Sequence, residues 1–162
     1  MRPDGACRQP AGLNRHRPWE TILAVDDDRW VLALARDILA GEGYHVLEAS
    51  GGEDALRIAE GDAGAIHLLL TDVVMPRMDG RELAQRLRST RLETKVLFMS
   101  AFTTELVADY GVISGDALIT KPFTMAGLTH KVREVLGYRS PFARPGRGPG
   151  GVPGPPSAAL RQ

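Results

Sequence analysis

Residues 66–83 read IHLLLTDVVMPRMDGREL, and they pass from strand to turn to helix within one short span. The run at 66–71 is apolar apart from His67 and Thr71, and it stops at Asp72. A short apolar run ended by turn residues is the pattern of a strand buried on both faces. Met75-Pro76 and Asp79-Gly80 then interrupt regular structure. Asp79 with Glu82 three residues later is a capping signature. Leu83 and Leu87 supply the apolar face of the helix that follows.

The same alternation extends in both directions. Upstream, residues 21–25 predict a strand ending in acids. Residues 30–41 place Val31, Leu34, Ala35, Ile38 and Leu39 at helical spacing, with Gly41 or Gly43 as the stop. Residues 44–49 predict a second strand, and Ser50 with Glu53 predicts a capping box for a helix over 53–60. Downstream, residues 95–99 predict a fourth strand, 103–110 a short helix and 117–120 a fifth strand. Met125, Leu128, Val132, Val135 and Leu136 mark a last helix. Five strands alternating with five helices point to an α/β fold, a parallel sheet covered on both faces.

The flanks differ in composition. Residues 138–162 hold six prolines and five glycines, a composition that favours a disordered tail. Residues 1–19 are also rich in Pro, Gly and Arg and are expected to be a flexible segment. The domain proper therefore spans 20–137. Each flank carries four arginines, against one acid in the first and none in the second. The formal net charge of zero leaves residues 20–137 with more acids than bases. That balance disfavours nucleic-acid binding, which needs clustered Lys and Arg. The one cysteine, Cys7, excludes an intrachain disulfide and suits a reducing, cytoplasmic setting. No apolar stretch resembles a secretory signal or a membrane span.

Ligands of open parallel sheets bind at the carboxyl ends of the strands. Asp26, Asp27 and Asp28 follow the first strand, Asp72 the third, Ser100 the fourth, and Lys121-Pro122 the fifth. Singly, each has a bland reading. Asp28 suits a helix cap, Lys-Pro a turn, and a serine the surface. Jointly, several carboxylates at one edge repel one another unless a cation joins them. A hard divalent ion with oxygen ligands, Mg²⁺ by preference, resolves that repulsion. A lysine and a hydroxyl aimed at the same edge suit an incoming phosphoryl group.

ILAVDDDRWVL, LLLTDVVMPRMDGREL, VLFMSAF and ALITKPF resemble the four signature segments of response-regulator receiver domains, in order, across about residues 21–137. The wording is most similar to receivers attached to hybrid histidine kinases. The resemblance implies a flavodoxin-like fold with strand order 2-1-3-4-5. It implies that Asp72 takes a phosphoryl group from a histidine kinase or histidine phosphotransfer protein. It assigns Asp26 and Asp27 to Mg²⁺, with Asp27 favoured as the direct ligand, together with Asp72 and the backbone carbonyl of Val74. Ser100 and Lys121 would contact the phosphoryl oxygens, and Gly80 would occupy a turn that a side chain obstructs. Output would run through protein–protein contact or phosphorelay to an unidentified partner. One departure is Leu118, where receivers commonly carry an aromatic ring three residues before the lysine. Phe123 reads as a core anchor.

A phosphoacceptor module is not an enzyme in the ordinary sense. The enzymatic alternative is an aspartyl-phosphate phosphatase of the haloacid dehalogenase type, which needs a second acid two residues after the nucleophile. That position is Val74. A receiver used only for binding requires loss of a site residue, and none is lost. His16, His45, His67 and His130 show no ligand spacing, and His67 reads as structural. Trp19 and Trp30 are expected to pack at the domain margin.

Overall fold

The computed structural model describes residues 20–61, 64–102 and 117–138. The expected segments 1–19 and 139–162 and the helix expected at 103–110 lie outside the described residues. Within them the order is β1 (Thr21–Val25), α1 (Arg29–Gly41), β2 (His45–Ala49), α2 (Gly52–Gly61), β3 (Leu68–Asp72), α3 (Gly80–Thr90), β4 (Lys95–Ser100), β5 (Ala117–Thr120) and α4 (Met125–Leu136).

The strands form one parallel sheet in the order β2-β1-β3-β4-β5, the order that the resemblance implies. Successive strand residues face opposite sides, and both sides are covered. Leu23, Leu69, Val96 and Phe98 pack with Ala55, Ala59, Leu83 and Leu87 of α2 and α3. Ile22, Leu68, Leu70, Leu97 and Met99 pack with Ala35, Ile38, Leu39, Leu128 and Val132 of α1 and α4. This two-sided burial is why the strands read as apolar runs and not as alternating patterns. The chain steps from β1 outward to β2, then crosses to β3 on the other side. The resulting crevice opens at the carboxyl ends of β1 and β3.

Several boundaries differ from the sequence reading. Tyr44 lies between α1 and β2, its N–H donating back to the Leu39 carbonyl, and β2 begins at His45. The third strand starts at Leu68, since the Ile66 carbonyl is taken by the Thr94 hydroxyl at 2.8 Å. β3 and β4 each run one residue further than expected, to Asp72 and Ser100. The start of α2 uses Asp54, whose carboxylate accepts from the Ser50 N–H at 3.2 Å, in place of the expected Ser50–Glu53 pair.

The outer face of α1 also departs from expectation. Leu32 is buried, Leu34 is exposed, and Trp30 is 86% exposed instead of packed. Trp30 lies nine positions before buried Leu39, about two and a half turns at 3.6 residues per turn, which puts it on the opposite face. Phe123 packs against the cluster that includes α1 and α4, as anticipated. His67 is structural in the sense expected: its Nδ1 accepts from the Thr21 N–H at 3.0 Å. The Tyr138 hydroxyl donates to Glu20 at 2.6 Å and ties the end of the described chain to its start.

Candidate functional site

Each polar residue of the site is delivered by a strand that stops at the same edge. β1 ends at Val25, and the next three residues divide the work. Asp26 is 1% exposed. Its Oδ1 accepts from the Asp28 N–H at 2.9 Å, which fixes the carboxylate against the backbone. Asp27 is exposed at the rim. Asp28 is the N-cap of α1, accepting from the Trp30 N–H at 2.9 Å, in keeping with its bland reading.

Asp72 closes β3. Its place opposite Met99 is held by the bond from the Val73 N–H to the Met99 carbonyl at 2.9 Å. The loop from Val74 to Asp79 returns directly to the strand end. There the Gly80 N–H donates to the Val73 carbonyl at 2.9 Å, and Asp79 caps α3 by accepting from the Glu82 N–H at 2.7 Å. The approach at Gly80 is closer than any side chain permits. A Cβ there would lie 2.0 Å from the Asp72 carbonyl oxygen. The expected role of this glycine therefore has a definite steric cause.

Lys121 follows β5, and its N–H donates to the Ser100 carbonyl at 2.7 Å. Its Nζ reaches Asp26 Oδ2 at 2.6 Å and Asp72 Oδ2 at 3.2 Å. The oxygens of Asp26, Asp27 and Asp72 lie within 4.8 Å of one another. Four of the expected residues thus converge from the ends of three strands. Ser100 stands at the same edge, buried at the end of β4, where its Oγ accepts from the Phe102 N–H at 3.0 Å. The Val74 backbone lies close enough to the Asp72 carboxyl to favour its charged form.

The electrostatics follow from this crowding. Burial pushes the Asp72 carboxyl above the ordinary carboxylate value, the Lys121 charge opposes the rise, and Asp26 adds to it. Burial pulls the Lys121 ammonium down, but its bonds to Asp26 and Asp72 and their charges outweigh that and hold it above its ordinary value. Three carboxylates facing one ammonium leave an excess of negative charge. The donors are all hard oxygens, closely spaced, and one of them is open to solvent. They fit a divalent cation of the Mg²⁺ type, which keeps water on part of its shell.

The sequence reading missed Thr71. It is fully buried beside Asp72, and its Oγ1 donates to the Asp72 carbonyl at 3.0 Å. The signal was a hydroxyl residue within an otherwise apolar strand.

Comparison with known proteins agrees with this geometry. A family model described as the response regulator receiver domain matches residues 22–133. The transcriptional regulatory protein CpxR of Klebsiella pneumoniae is 36% identical over 116 residues, covering 71% of this chain and 48% of CpxR. The chain spans about half the length of the regulators it matches first. The receiver domain of the hybrid histidine kinase CckA superposes with a TM-score of 0.61 at 37% identity, covering 72% of this chain and 98% of that domain. The response regulator TrrA of Thermotoga maritima, solved in complex with Mg²⁺ and BeF, superposes with a TM-score of 0.60 at 28% identity, covering 72% and 98%. Among the described residues, no helix is long and apolar enough to cross a membrane.

Proposed function

This chain belongs to the response regulator receiver domain family, and from that premise we propose that Asp72 accepts a phosphoryl group from the phosphohistidine of a histidine kinase or histidine phosphotransfer protein. The single observation that carries the assignment is Lys121. Its Nζ bonds both Asp26 and Asp72 where three carboxylates meet. This places a cation beside a nucleophile that gains negative charge when phosphorylated.

In the transfer, an Asp72 carboxylate oxygen attacks phosphorus in line as the phosphorus–nitrogen bond to the donor histidine breaks. The imidazole leaves with the bonding electron pair and is neutralised by a proton. Catalysis of this kind consists of positioning and charge stabilisation. Lys121 pairs the phosphoryl oxygens, and the Ser100 hydroxyl, whose Oγ accepts from the Phe102 N–H, keeps its proton to donate to one of them. Mg²⁺ held by Asp26, Asp27, Asp72 and the Val74 carbonyl would neutralise charge developing on the transferred group. The position two after Asp72 carries no acid, and nothing favours the haloacid dehalogenase alternative. The setting is cytoplasmic two-component signalling. Output runs by contact with a further protein or by relay.

The test is mass spectrometry after incubation with Mg²⁺ and a small acyl phosphate, under conditions that preserve acyl phosphates. One phosphoryl group on Asp72, absent from Asp72→Asn, is the expected result. Stable phosphate on a serine or threonine with Asp72 unmodified overturns the assignment.

A further inference from the structure

Thr71 is the one buried hydroxyl in β3, and its partner is the main chain of the acceptor itself. Its Oγ1 donates to the Asp72 carbonyl oxygen at 3.0 Å. The same oxygen faces Gly80, where an added Cβ would stand 2.0 Å from it and 3.1 Å from Thr71 Oγ1. The next residue is held on both sides, its N–H by Met99 and its carbonyl by the Gly80 N–H, each at 2.9 Å. The Thr71 hydroxyl, the Asp72 carbonyl and the Gly80 backbone therefore form one tight seam at the base of the loop. That seam sets the plane of the Asp72–Val73 peptide. From there the chain leads directly into the loop that begins at Val74.

We propose that Thr71 is a positioning residue for phosphoryl transfer: its hydroxyl fixes the Asp72 carbonyl against Gly80 and so holds the acceptor carboxylate in line with Lys121. The inference rests on the reading of Asp72 as phosphoacceptor. Nothing else about the position demands a hydroxyl. The side chain is fully buried on the face of β3 that Leu69 presents to α2 and α3, where valine would fill about the same volume. A buried hydroxyl is retained at a desolvation cost unless its bond is used. Small displacements of a reacting group carry large kinetic penalties.

The experiment compares two pairs that differ only by the hydroxyl: wild type against Thr71→Val, and Thr71→Ser against Thr71→Ala. The rate of Asp72 labelling by a small acyl phosphate with Mg²⁺ is measured for each. Urea unfolding of each protein runs alongside. The expected result is a loss of about tenfold in Thr71→Val, equivalent to ~1.4 kcal/mol in barrier. Thr71→Ser should stay within about twofold of wild type by the same scale, and Thr71→Ala should fall below it. If cavity or packing effects unfold one member of a pair, the other pair still isolates the hydroxyl. Labelling rates that follow unfolding stability and not the hydroxyl overturn the proposal, as does Thr71→Val labelled at the wild-type rate. Both of those outcomes leave the Asp72 assignment standing. A wild-type protein that takes no label on Asp72 overturns both.

Discussion

Gly80→Ala tests the seam from its other side. The added Cβ would meet the Asp72 carbonyl oxygen at 2.0 Å and its carbon at 3.0 Å, against an ordinary non-bonded separation of about 3.5 Å. More than an ångström of relief is needed. The obstructing atoms are main chain of the central strand β3, so no flexible side chain can supply it. Overpacking of this kind costs about 1–3 kcal/mol, and a rigid neighbour places this case at the upper end. Better helix propensity returns at most about 1 kcal/mol, and less at the first helical residue. The net expectation is a loss of about 2 kcal/mol, which lowers the urea midpoint by roughly 1 M with the slope unchanged. Labelling of Asp72 should fall as well, because relief must move its carbonyl. Gly41→Ala serves as control. Its Cβ meets nothing within 4 Å, so it should be neutral or stabilising by about 0.4–1 kcal/mol. Gly80→Ala within about 0.5 kcal/mol of wild type, with unchanged labelling, would refute the steric reasoning.

Four further outcomes follow from the site. Lys121→Ala leaves Asp26 buried without its cation and should cost about 3 kcal/mol in chemical unfolding without Mg²⁺; an unchanged midpoint would show the pair to be dispensable. Asp72→Asn should be more stable than wild type at neutral pH without Mg²⁺. The raised Asp72 carboxyl binds its proton more tightly in the folded chain, so ionisation costs stability as pH rises through that value, and the advantage of Asn should vanish below about pH 4. Mg²⁺ at ten times its dissociation constant should stabilise the wild type by ~1.4 kcal/mol and Asp27→Ala by much less, as read by thermal unfolding; equal shifts in both proteins would remove Asp27 from the cation site. Finally, Val74 and Phe102 are exposed apolar side chains just beyond Asp72 and Ser100, and neither can hydrogen-bond and orient a water. Phosphorylated wild type should therefore decay slowly when purified away from any histidine donor, and Phe102→Glu should decay faster. Rapid wild-type decay unaffected by the substitution excludes control by these side chains.

Much of the fold was legible because a two-sided sheet leaves a simple trace: short apolar runs, each stopped by a polar residue. Asp26, Asp27, Asp72 and Lys121 stood where those runs stop, and sheet topology made the stops converge. The misreadings occurred where several side chains could serve one backbone group. Ser50, Glu53 and Asp54 all offer oxygens near the start of α2, and it is Asp54 that takes the Ser50 N–H. On α1, Leu32 and Leu34 are equally apolar, but the helix rotates Leu32 inward and Leu34 outward. Thr71 was passed over for a related reason. A threonine in a strand suits β-propensity alone, and the hydroxyl by itself does not say that it bonds the following carbonyl.

The unphosphorylated site is arranged around a shared lysine, and that sharing constrains how the site responds. Nζ is bonded more closely to buried Asp26 than to Asp72, at 2.6 Å against 3.2 Å. A phosphoryl group on Asp72 adds about 1.5 to 2 negative charges on the Asp72 side. The lysine then has a stronger partner there, but following it weakens the bond to Asp26. A buried carboxylate losing its cation is costly, on the order of several kcal/mol. That cost disappears only if a second positive charge remains with Asp26, which is the place the divalent cation would fill. Lysine and cation therefore divide the anionic charge between them, and their effects cannot be independent. Removing Lys121 should increase the stabilisation obtained from Mg²⁺ before phosphorylation, since the cation then relieves an otherwise unpaired Asp26. It should reduce the stabilisation obtained from a phosphoryl mimic, since one of its two counter-charges is gone. Opposite signs in those two measurements distinguish a shared lysine from one that serves only as a structural tether.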